Sequence, residues 1–226
     1  MGMDLTGIIN QNEYYTNHYF SSIFEENAKD TITKWRSDAK EAEDATPWAK
    51  FRKTGTQYFR VRDRYAHMRN EVYSRPLIQE MAELYLEALG FGQPNTVDVP
   101  VGDDLQIPVF HEVTKSNGAP LLWVLMSQAE ERDDDILNGH IFSIIDEDDE
   151  DISGKTVDLT NEDAIPKMFF AGDEAPRWLI FIGIGQIALI DRNKWNDKRF
   201  LQFDLDKIFS RREETTFQAL SVLLSK

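Results

Sequence analysis

The chain has 226 residues, 41% of them hydrophobic and 12% aromatic, with 25 basic and 40 acidic side chains and a formal net charge of −15. That is enough apolar chain for a real core, so wholesale disorder is excluded despite the charge. Zero cysteines exclude a disulfide scaffold, a thiolate zinc site and a cysteine nucleophile.

No apolar run reaches the roughly 18 residues of a membrane-spanning helix. The opening MGMDLTGIINQNEYY has neither the basic nor the apolar region of a secretory leader, so no membrane is expected and the cytoplasm is the expected compartment. The charge is uneven. Residues 50–75 hold eight basic and two acidic side chains, a balance of +6, whereas residues 130–174 hold sixteen acidic and three basic, a balance of −13.

In chain order, the aromatic cluster Tyr14, Tyr15, Tyr19, Phe20 and Phe24, followed by Ile32 and Trp35, predicts a helix within residues 13–45 that ends before Pro47. The segment from Trp48 to Arg75 predicts a basic helix, with Tyr58, Val61, Tyr65, Met68 and Val72 on one face and arginines around the others. Pro76 suits the first turn of an amphipathic helix through Leu77, Met81, Tyr85 and Leu89 that stops at Gly90.

The period then changes to that of strands. Residues 96–101 and 106–114 flank Gly102-Asp103-Asp104 as a hairpin, and Ser116-Asn117-Gly118 marks another turn. PLLWVLM, from Pro120 to Met126, reads as a strand buried on both faces. Residues 130–174 read as an acidic insertion with a short helix over 161–170; its DEDDED run, 146–151, lacks the glycine and closing glutamate of a calcium loop. WLIFIGIGQIALI, split by Gly183-Ile184-Gly185, reads as two core strands, and 200–203 as a further one. A last helix spans 206–226, with Ser210 and Glu213 at capping-box spacing. Its apolar terminus is what a piece of a longer polypeptide would show.

The expected fold is therefore α/β of the α+β kind. Residues 1–75 form a helical N-terminal annex with the basic helix, and residues 76–226 form a mixed sheet flanked by helices, with the acidic insertion at 130–174.

Motifs for chemistry are sparse. His18, His67, His111 and His140 form no H-x-x-x-H pair, so no metal site is expected from them; Gly154-Lys155-Thr156 keeps only the tail of a phosphate-cradle motif. Carboxylates remain. A helix carrying Glu83 and Glu87, strands carrying Asp98, Asp103 and Asp104, and then a buried strand together resemble the αβββ core of the PD-(D/E)XK nucleases. The resemblance implies a restriction-endonuclease-like fold, in which two carboxylates would hold Mg²⁺ and a lysine would assist. The strand that should carry E-x-K reads LWVLMSQ, without acid or lysine. The nearest substitute for a Mg²⁺-dependent site is Asp104, Glu112 and Lys115, but a spacing of three places Glu112 and Lys115 on opposite faces of a strand unless a bulge intervenes.

The phrases NEYYTNHYF, KFRKTGTQYFRVRDRYAHMRN, GAPLLWVLMSQ and APRWLIFIGIGQIALIDRNKWNDKRFLQFDLDKIFSRRE resemble the amino-terminal region of large bacterial restriction-modification proteins. These are single-chain type II enzymes and related phage-defence DNA methyltransferases. The resemblance runs from about Asn12 to about Glu214. It implies DNA as the partner through the full-length enzyme, alongside the remaining domains of the same polypeptide. S-adenosylmethionine is expected in a downstream methyltransferase, because neither a glycine-rich cofactor loop nor N-P-P-Y occurs in these residues.

On this reading Arg52, Lys53, Arg60, Arg62, Arg64 and Arg69 are the candidate DNA-binding residues, supported by Tyr58 or Phe59. Two alternatives stand beside it. The arginines of the basic helix pair with the acidic segment, or the chain is a protein-interaction module of a phage-defence complex with no DNA contact.

Overall fold

The computed structural model describes residues 2–68, 74–103, 105–129, 134–145, 154–170 and 174–225. Arg69, Val72, Asp104 and the 146–151 run lie outside these residues.

Largely apolar strands, buried on both faces at the centre, build a mixed sheet. Strands β1 (Ile8–Gln11), β4 (His111–Thr114), β5 (Pro120–Gln128), β6 (His140–Phe142), β7 (Thr156–Thr160), β8 (Trp178–Ile182), β9 (Gln186–Asp191) and β10 (Phe200–Asp204) run in the order β1-β10-β9-β8-β5-β6-β7, and β4 also pairs with β5. A separate hairpin joins β2 (Val97–Val101) to β3 (Leu105–Val109), and Phe110 leads from it into β4. β5 and β8 are parallel, with Leu122 opposite Trp178 and Met126 opposite Ile182; the remaining strand pairs are antiparallel.

PLLWVLM is buried on both faces, as its unbroken apolar run requires. Leu122, Val124 and Met126 face one core, and Trp123 and Leu125 face another. Helices α1 (Phe24–Glu41), α2 (Pro47–Lys53), α3 (Gly55–Ala66), α4 (Arg75–Ala88), α6 (Leu205–Arg211) and α7 (Glu214–Leu224) supply buried residues to the first core. The β2–β3 hairpin and α5 (Asn161–Phe170) supply the second.

Several expectations need correction. The region expected as an N-terminal annex is joined to the sheet and core: β1 pairs with β10, and Phe51 of α2 and Tyr58 of α3 stack on Phe209 of α6 at 5.6 and 4.9 Å. The helix expected over 13–45 starts only at Asn17 and passes through a π-helical turn at Tyr19–Ile23, because Asn12 and Glu13 take positive φ and turn the chain out of β1. The single basic helix is two. They join at Thr54, whose hydroxyl donates to Phe51 O at 2.7 Å, and at Gly55, where an added Cβ would lie 2.9 Å from Phe209. The C-terminal helix is also two. Arg212 turns left-handed between α6 and α7, so Ser210 lies in the last turn of α6 and caps nothing; the cap used is Asp204, whose carboxylate accepts from Lys207 N.

Among the described residues no helix is long and apolar enough to cross a membrane.

Candidate nucleic-acid interface

Helices α2 and α3 owe their position to aromatic residues. Trp48 and Phe51 bury the inner face of α2, and Tyr58 and Val61 that of α3, the last three with no exposed surface. Phe51 stacks on Tyr85 of α4 at 5.0 Å as well as on Phe209, and Phe209 meets Phe217 of α7 at 5.7 Å. Each fully buried ring is worth about 1.5–3 kcal/mol of transfer free energy, which fixes the orientation of both helices. The opposite face must then carry the basic side chains.

The candidate basic residues fall into two sets. Arg52 and Lys53 end α2 and are exposed, as is Arg60, and none of the three forms an ion pair among the described residues; Arg60 donates to Gln57 Oε1 at 3.1 Å. Arg64 is exposed and stands 3.9 Å from the Glu80 carboxylate, a loose contact in water. A shallow open groove runs along Arg60, Asp63, Arg64 and His67.

Arg62 belongs to the structure. Its Nη1 donates to Asp206 of α6 at 2.8 Å and its Nη2 to Asp63 at 3.0 Å, and its guanidinium lies over the Phe59 ring at 4.8 Å. Its hydrogen bonds to Asp206, then to Asp63, hold its proton still more firmly than an ordinary arginine's. Arg62 is therefore withdrawn from the set of phosphate ligands. Tyr58 is withdrawn too, since its ring is buried against Phe209, whereas Phe59 stays half-buried at the flank.

The described ion pairs of these arginines run to Asp63, Glu80 and Asp206, and none runs to residues 130–174. The anionic neighbours lie on α4, where Glu80, Glu83 and Glu87 face Lys53 and Gln57 across a groove. A polyanion would therefore meet the surface from the side away from α4.

The nuclease candidates do not converge. Glu112 Oε1 accepts the Trp123 indole N–H at 2.8 Å, while Asn95 bonds the Glu112 backbone at 2.7 and 3.0 Å. The β4–β5 register does shift at Val113/Thr114, but Lys115 lies beyond it in the exposed turn, accepting from Gly118 N at 2.9 Å. Asp104 lies outside the described residues, and among those described no three His, Asp or Glu come together as metal ligands. Gly154-Lys155-Thr156 runs into a strand, and Gly183-Ile184-Gly185 is the β8–β9 hairpin turn.

Two glutamines that belong to no sequence motif lie beside that turn. Gln202 interrupts the apolar strand β10 and Gln186 opens β9, and the two join, Gln202 Nε2 donating to Gln186 Oε1 at 2.8 Å. The signal was present, because a polar residue inside an otherwise apolar strand is the informative exception. No protein-family model, curated protein or solved structure matches the chain.

Proposed function

We propose that this chain is the amino-terminal, restriction-endonuclease-like region of a bacterial restriction-modification or phage-defence methyltransferase protein of the cytoplasm, and that it engages the DNA backbone without a complete catalytic site of its own. The observation that carries the proposal is the outward face of α2 and α3. Arg52, Lys53 and Arg60 have no ion-pair partner among the described residues, and Arg64 has only a loose one. Unpaired arginine and lysine on a rigid helical surface are the elements of sequence-independent phosphate binding.

The order of elements supports the fold half of the reading. Helix α4 precedes β2, the bent β3–β4 run and the central β5, and α5 connects β5 to its parallel neighbour β8. The fate of Glu112 supports the absence of a complete site, because its carboxylate is taken up by the Trp123 indole. S-adenosylmethionine would belong to a downstream domain, and Mg²⁺ would matter only to a working nuclease centre.

Binding of a fluorescent duplex, measured as anisotropy over a range of salt concentrations, tests the proposal. Salt-dependent affinity is expected, with the slope of log K against log salt falling by about one for each phosphate-contacting residue removed by Arg52→Ala, Lys53→Ala, Arg60→Ala and Arg64→Ala. No binding, or an unchanged slope in the fourfold variant, overturns it and favours the protein-interaction module.

A further inference from the structure

The inner edge of α3 carries a second feature. Where β8 and β10 end and the hairpin turns into β9, a cleft of about 200 Å³ opens beneath α3. The volume lies below the roughly 300–1,000 Å³ of drug-sized sites, which suits one small ring system.

Its lining is half-buried and close to neutral, with polar side chains around Ile9, Ile184 and the Tyr58 ring. Gln11 Nε2 donates to Gln202 Oε1 at 2.9 Å, Gln202 Nε2 to Gln186 Oε1 at 2.8 Å, and Gln186 Nε2 to Asp134 O at 3.0 Å; Ile136 N also donates to Gln186 Oε1. Both lining amide oxygens are therefore occupied. Each amide nitrogen has two hydrogens and only one partner among the described residues, so Gln186 and Gln202 keep a donor each. Gln202 is only 7% exposed, and a buried unused donor is costly unless something accepts from it.

Acceptors stand opposite. Asp204 takes one bond on each oxygen, from Lys207 N at 3.0 Å and Lys207 Nζ at 2.8 Å, and an ionised carboxylate has about four lone-pair sites. Lys207 balances Asp204 and Arg62 balances Asp206, which favours neither a phosphate nor a metal ion in the cleft. The buried Tyr58 hydroxyl makes no well-formed hydrogen bond among the described residues, although Asp206 is near enough to raise its pKa. Burial, the larger cause, and that charge keep it a neutral phenol.

A small, neutral site with donors and acceptors around an apolar floor fits a planar ligand with both kinds of group on its edge. We infer that this cleft binds a single nucleobase, supplied by a free nucleoside or by a base displaced from a DNA strand. The second source rests on the DNA-binding reading of the outer face, and the first does not.

Gly185 provides the test. Its φ is not left-handed, and an added Cβ would have Tyr58 Oη as its nearest neighbour at 3.8 Å, so a side chain there grows into the cleft. Adenosine, cytidine, guanosine and uridine are titrated into the 226-residue protein by NMR, and 2-aminopurine is placed in single-stranded and duplex oligonucleotides as a fluorescent probe. Saturable binding is expected, weakened at least about tenfold by Gly185→Leu and at most about twofold by Gly185→Ala. Gln202→Leu, which removes the donor without adding bulk to the turn, is the second variant should Gly185→Leu not fold.

Nucleoside binding that survives Arg60→Ala with Arg64→Ala assigns the free source. A 2-aminopurine signal lost in Gly185→Leu, with salt-dependent duplex affinity retained, assigns the DNA-borne source. The inference is overturned if no nucleoside saturates and 2-aminopurine is silent, or if binding ignores both Gly185→Leu and Gln202→Leu. Failure of the DNA reading is distinct, because it shows as absent salt-dependent duplex affinity whatever the nucleosides do.

Discussion

Arg60 and Arg62 are two residues apart on α3 and indistinguishable by composition, yet they do different work. Arg62 is half-buried, bonded to Asp206 and Asp63 and laid over Phe59, so it ties α3 to α6. Arg60 points outward with only Gln57 as a partner among the described residues. At about 100° per residue the two positions lie nearly half a turn apart, and the aromatic anchor decides which of them meets protein and which meets solvent. Local charge of +6 therefore measures two things at once, an internal clamp and an external surface.

Removal of the Tyr58 anchor should have the largest effect. Tyr58→Ala deletes a ring with no exposed surface that stacks on Phe209, and a loss of about 3–5 kcal/mol is expected in urea unfolding. Tyr58→Phe keeps the ring and removes a hydroxyl without a well-formed hydrogen bond, so its stability should stay within about 1 kcal/mol of the parent. A large loss in Tyr58→Phe would show that the hydroxyl is structurally committed. Gly55→Ala comes next. Its Cβ would press on Phe209 at 2.9 Å, and overpacking of about 1–3 kcal/mol should outweigh the gain in helix propensity of about 1 kcal/mol.

The anchor also explains how much was legible in the sequence. Strong periodicity located α4, β5, the β8–β9 hairpin and the inward positions Tyr58 and Val61, because those patterns are local. The break at Thr54–Gly55 depends on the approach of Phe209, about 150 residues later, which no local pattern records. The pairing of β1 with β10 is equally remote, and it joins the first residues of the chain to the sheet. For the site, residue type identified the cations but not their partners: Arg62 and Asp206 are 144 positions apart, and Glu112 meets Trp123 only because β4 folds back on β5.

A smaller effect separates the two arginines directly. Arg62→Ala should cost about 1 kcal/mol in thermal or urea unfolding and leave the salt slope of duplex binding unchanged, since the pair is partly exposed. Arg60→Ala should leave stability within about 0.5 kcal/mol and lower the slope by about one. Reversed outcomes would mean that the inner arginine, not the outer one, meets phosphate.

Arg211 offers the gentlest test of whether a paired arginine is a structural clamp. It donates to Asp4 at 2.8 Å, while Thr6 N donates to the same carboxylate at 2.8 Å and Thr216 Oγ1 bonds Asp4 O at 2.9 Å, holding the N-terminal segment on α6 and α7. The hydrogen bonds from Thr6, ahead of that from Arg211, lower the Asp4 pKa from 3.8 to about 2. A depressed folded-state pKa means that the native state holds its charge when the unfolded chain has become protonated. The stabilisation from Asp4 is therefore complete above about pH 3.8 and disappears as pH falls through about 2. Asp4→Asn should melt below the parent at neutral pH, with the gap closing as pH falls from about 4 towards 2. A gap independent of pH over that range would assign the effect to packing, and the arginine pair would then contribute nothing as a charge.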